Sequence, residues 1–121
     1  MSQSLSVVTQ AKLWYWQRIS AMVLALCVIV HLVGIIMAVR GGLSGAEVLA
    51  RTQGNWLFGA FYAVFVLAST VHVPIGLMRI AEEWLGWRSR SVVIAAWLFA
   101  ALLAFAGLRA VYAVVMPGGA A

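Results

Sequence analysis

Two residues of this 121-residue chain have side chains suited to chemistry at membrane depth, His31 and His72. Each lies inside a long apolar stretch, where an imidazole has to find a hydrogen bond, a proton path or a metal. The plainer alternative for either ring is a hydrogen bond to a neighbouring helix, modest in energy but enough to accommodate it. Methionines Met22, Met37 and Met78 are read as packing residues, and so is Cys27, alone in mid-span and without a disulfide partner.

The elements that position the histidines follow from composition. The chain is 65% hydrophobic and only 9% charged, far from the average of soluble domains, so an all-α integral membrane protein is expected. The stretches Ile19 to Val39, Trp56 to Met78 and Ser91 to Met116 are each long enough to span a bilayer, the last interrupted only by Arg109. With flanks, they predict membrane helices over 14–40, 55–84 and 91–116 in one anchor domain covering 1–121. Tryptophans 14, 16, 56, 84 and 87 fall at the span ends, where an amphipathic ring prefers the headgroup level. The first apolar run is too long, and lies too far along the chain, for a signal peptide.

Residues 1–11 carry no pattern that orders them alone, and are expected to lie on a partner or in solvent. Arg40, Gly41 and Gly42 stop the first helix. SGAEVLARTQ can form one short amphipathic turn, Asn55 is suited to cap the second span, and Gly86 to end it. Such a small bundle has no room for a soluble domain, so aqueous chemistry must belong to other subunits.

The formal charge of +5 is spread singly over helix ends and forms no basic stripe, which argues against nucleic-acid binding. Lys12, Arg18, Arg79, Arg88 and Arg90 outnumber Arg40 and Arg51 across the bilayer, so the positive-inside rule places the N-terminus in the cytoplasm of a cell whose inner (plasma) membrane holds the chain.

Counting helical rise from Arg18 and from Arg79 puts His31 about 20 Å and His72 about 10 Å from the inner boundary, roughly 10 Å apart in depth. The rings then belong to different leaflets and cannot share one cofactor. If both bind metal, the opposing ligands come from another chain, in two stacked sites suited to electron transfer. Ser20, three turns before His31, shares its face and points to the inner site. Gln17 and Arg18 sit lower on the same helix, and Arg79 lies two turns below His72. Gly76 and Gly34 remove bulk near the two rings. Arg18 and Arg79 have a second reading as snorkelling anchors. Arg109 is open between snorkelling, cofactor carboxylates and a partner acid, and Pro74 between a packing bend and a cofactor role.

The run YWQRISAMVLALCVIVHLVG, Tyr15 to Gly34, resembles helix one of the cytochrome b membrane anchors of succinate:quinone oxidoreductases and quinol:fumarate reductases, especially the two-haem kind. There a glutamine or histidine precedes a Ser/Thr and a small residue, with an axial histidine fourteen positions after it; Gln17, Ser20, Ala21 and His31 fit. HVPIGLMRIAEEW, His72 to Trp84, is similar to the family's second helix, with Gly76, Leu77, Arg79, Glu82 and Glu83 in the expected places. The likeness covers roughly residues 14 to 84.

The resemblance implies a haem-binding helical bundle completed by another subunit. His31 would be the axial ligand of the outer haem b and His72 of the inner one, with Gln17, Arg18, Ser20 and Arg79 around the inner cofactor. It also implies flavoprotein and iron–sulfur partners and a quinone. Two-haem anchors commonly carry four ligand histidines on five helices, whereas this chain has two on three. A second copy or a related small membrane subunit must supply the rest. Glu47 is poorly placed to match the family's quinone-linked glutamate. On this reading the chain is not catalytic alone, and passes electrons between an iron–sulfur partner and membrane quinone. The alternatives are a haem-free anchor or assembly subunit, and a small transporter or proton channel using the histidines as a relay.

Overall fold

The computed structural model describes residues 6–116. Helix α1 spans Val7–Arg40, α2 Gly45–Thr52, α3 Trp56–Leu85 and α4 Arg90–Val115. Helices α1, α3 and α4 are long and apolar enough to cross a membrane. Among the described residues there is no strand.

Helix α1 begins well before its apolar run, in a segment the sequence reading left without order. Ser6 caps it, its Oγ accepting from the Thr9 backbone N–H at 3.1 Å, and satisfies one of the donors a helix start leaves orphaned. Once nucleated, the turn costs little to propagate through Lys12 into the span. Residues 1–5 of the expected unordered segment lie outside the described residues. At 1.5 Å per residue α1 is about 51 Å long, more than the ~30 Å of hydrocarbon, so its first turns stand clear of the apolar layer.

The remaining boundaries follow local chemistry. Gly42 (φ +66°) turns the chain after Arg40. Ser44 and Glu47 form a reciprocal capping box on α2, with Ser44 N–H donating to Glu47 Oε2 at 2.6 Å and Glu47 N–H to Ser44 Oγ at 3.2 Å, the arrangement an S-x-x-E start provides. Asn55 Oδ1 accepts from Phe58 N–H at 3.1 Å and opens α3. Gly86 closes that helix in the left-handed region at φ +63°, where a side chain would be strained. Helix α3 runs through the buried Pro74 without a break in its helical assignment.

Helix α3 is the middle element, packed antiparallel against α1 on one side and α4 on the other. Its contact with α4 depends on small residues. A Cβ on Gly107 would lie 2.7 Å from Val66 Cγ1, and one on Gly59 3.1 Å from Val115 Cγ1. At the end where α1 begins, Ile75, Met78 and Ala81 of α3 bury against Val92 and Ala96 of α4, with Leu13 of α1 alongside. At the other end α2 lies across α4. Thr52, buried, donates its hydroxyl to Val114 O at 2.6 Å, and Gly54 N–H donates to Val115 O at 2.6 Å. These bonds satisfy carbonyls that the end of a helix leaves open.

Candidate functional site

The α1–α3 seam carries both histidines. As the α1 position rises from Gln17 through Ser20 to His31, its α3 neighbour falls from Gly76 through His72 to Tyr62. Ser20 and His31 therefore present the same side of α1 to α3, as their eleven-residue spacing requires.

At the lower level, Ser20 is buried and its hydroxyl donates to the Gln17 carbonyl at 3.1 Å. The same oxygen lies a long 3.4 Å from His72 Nδ1. With the serine proton on the Gln17 carbonyl, a proton on His72 Nδ1 would point at the serine and leave the Nε2 lone pair available to a ligand. Gln17 lies over Gly76, where a Cβ would come 3.5 Å from Gln17 Nε2. Gln17 Oε1 is buried with no partner among the described residues, an acceptor that an incoming donor would satisfy.

At the upper level, His31 Nδ1 meets the Tyr62 hydroxyl at 2.6 Å. The imidazole stands edge-on to Tyr62 and Phe65, at interplanar angles of 86° to each, and those two rings are stacked within 8° of parallel. The sequence reading missed Tyr62. Its signal was the aromatic stripe Phe58, Phe61, Tyr62 and Phe65 on one helix face, in which only the tyrosine can hydrogen-bond. Gly34 opens on empty space, with nothing within 4 Å of a Cβ placed there.

The two levels are separated by ten residues of α3 and eleven of α1, about 15 Å along the helices. That exceeds the roughly 10 Å counted from the two arginines, because the arginines are not level. In the observed register Arg79 lies opposite the Trp14 turn, about one turn below Arg18. Arg18 is exposed and places its guanidinium over the Trp14 ring, 5.3 Å from the centroid, a cation–π contact. Arg79 is half-buried. The structure thus brings Gln17, Ser20 and His72 together and sets Arg18, Arg79 and His31 apart from that group.

Other candidates lie away from the α1–α3 seam. Glu47 belongs to the α2 cap, where the Ser44 backbone N–H and then its hydroxyl hold the carboxyl below the usual carboxylate range. Arg109 is exposed on α4. Among the described residues no three His, Cys, Asp or Glu side chains cluster as a complete metal site.

The sequence matches the succinate dehydrogenase/fumarate reductase transmembrane subunit family over residues 2–108. The chain belongs to that family. No curated protein and no solved structure matches it. Membership makes this a multi-pass membrane anchor that works with the other subunits of a succinate dehydrogenase or fumarate reductase complex, in a family whose membrane subunits are associated with haem and quinone. The match includes the whole α1–α3 seam, so both histidine levels belong to the family portion of this transmembrane subunit.

Proposed function

We propose that this subunit binds b-type haem through Nε2 of His31 and Nε2 of His72, one haem at each level, and carries electrons between an iron–sulfur partner and membrane quinone. The observation that carries the reading is the hydroxyl at Nδ1 of each ring. A ligating histidine characteristically gives its second nitrogen to such a partner, which fixes ring orientation and leaves the other nitrogen for the metal. The distance between levels supports two separate centres, each completed by an imidazole from a second copy or a related small membrane subunit.

When bound, haem supplies a one-electron change between ferric and ferrous iron. Around the inner level Ser20 orients His72, Gln17 offers polar contacts, and Gly76 keeps the α3 surface low; Arg18 and Arg79 lie toward the headgroups, suited to carboxylates that emerge there. Apolar residues of α1 and α3 flank both rings, which are half-buried. The excess of cations on the face shared by the start of α1 and the α3–α4 connection supports an N-terminus in the cytoplasm, on the side of the flavoprotein and iron–sulfur partners.

Reduced-minus-oxidised spectra of the intact complex test the reading. The wild type should show b-type bands, with His31→Ala and His72→Ala each removing a different component. A haem-free anchor is the second reading, favoured by the fact that the Tyr62 and Ser20 contacts already give each ring one partner. Intact complex without b-type bands would establish it.

A further inference from the structure

We infer that Tyr62 is a positioning residue for the upper site, the acceptor that fixes His31 with Nε2 as its ligating nitrogen. The inference rests on the haem-binding reading and extends it to a residue the sequence motifs do not contain. The two histidines are held in different ways. His72 has one long contact, 3.4 Å, to a serine whose hydroxyl also reaches the Gln17 carbonyl at 3.1 Å. His31 has a 2.6 Å bond to a phenol, with its ring plane set perpendicular to two stacked aromatics. Phe58 packs 4.5 Å and Phe61 5.0 Å from Tyr62, and Phe61 6.3 Å from Phe65, centroid to centroid.

Hydrogen-bond direction decides what Tyr62 does. A phenol can donate to Nδ1, which leaves the imidazole proton on Nε2 and no lone pair there, or accept from Nδ1–H, which leaves Nε2 free. Ligation at Nε2 requires the second arrangement. The Tyr62 oxygen then draws the Nδ1 proton toward itself, making His31 a stronger electron donor to whatever it ligates. The upper centre should therefore hold its metal more firmly, and favour its oxidised form more, than it would without the hydroxyl. His72 gains less from its longer contact, so the structure builds a difference between two otherwise similar ligands.

The test is potentiometric titration of the b-type bands, with haem retention on dilution, in intact complex carrying Tyr62→Phe, which removes one oxygen and keeps the aromatic packing. The expected result is an upward shift in the midpoint of the His31 centre and a loss of haem affinity there of about 10–100-fold, with the His72 centre unmoved as an internal control. Ser20→Ala should move only the His72 centre. Should Tyr62→Phe fail to assemble, 3-fluorotyrosine in a Tyr15→Phe, Tyr112→Phe background weakens the Tyr62 acceptor without changing packing, and should raise the same midpoint. Haem bound with midpoint and retention unchanged in either variant overturns the positioning role alone. Wild-type complex lacking b-type haem overturns the haem reading and this inference with it.

Discussion

Replacing Gly107 with alanine tests the α3–α4 seam at its tightest point. The new Cβ would lie 2.7 Å from Val66 Cγ1, 3.0 Å from Cγ2 and 3.4 Å from Cβ, whereas carbon atoms rest comfortably about 3.5–4.0 Å apart. Relief of nearly 1 Å has to come from somewhere. Valine in a helix has one strongly preferred rotamer, and with both methyls crowded the side chain cannot simply turn aside, so the helices must part. Overpacking of this kind costs about 1–3 kcal/mol, against a gain of up to about 1 kcal/mol from replacing glycine inside a helix. Gly34→Ala separates the two effects, because nothing lies within 4 Å of a Cβ there and that variant keeps the helix gain alone. Unfolding followed by circular dichroism in detergent should therefore rank Gly107→Ala below Gly34→Ala by about 1–3 kcal/mol. Val66→Ala combined with Gly107→Ala should recover much of the deficit, since the crowded methyls are gone. Val66 lies one turn from Tyr62, so the same variant should disturb the His31 centre before the His72 centre. Equal stability of Gly107→Ala and Gly34→Ala would refute the reasoning.

Thr52→Val removes the donor to Val114 O in a buried setting; it should cost about 1–3 kcal/mol and speed amide exchange at the end of α4, and unchanged exchange there would contradict the assignment. The Glu47 carboxyl is held below its ordinary value by the Ser44 N–H. Its contribution to α2 is thus complete above the ordinary carboxylate pKa and fades as acid drives the pH down through the lowered one. Protection of the α2 amides, taken relative to intrinsic exchange at each pH, should fall on acidification in the wild type and lose that dependence in Glu47→Gln.

The three spans were legible because apolar length is a strong signal, and their ends because Asn55, Gly86 and the Arg40–Gly42 stop have local chemistry that does not depend on the rest of the fold. The facing of Ser20 and His31 followed from helical period alone. The start of α1 was missed because Ser6 is an unremarkable residue until the turn it caps exists. The depth count failed for a different reason. It took Arg18 and Arg79 as markers of one plane, but long cationic side chains reach the interface from different heights, and only the pairing of α1 with α3 reveals the offset. Tyr62 stayed hidden among phenylalanines because its partner lies on another helix, a relation that the spacing within α3 does not contain.

The bonds from Thr52 and Gly54 to the last carbonyls of α4 also bear on the order of assembly. The connecting segment is synthesised before the final span, so its two donors can await that span's arrival. How far α4 slides through the bilayer is then governed by a latch on a neighbouring part of the chain, and a membrane of different thickness would strain that latch before it could shift the helix.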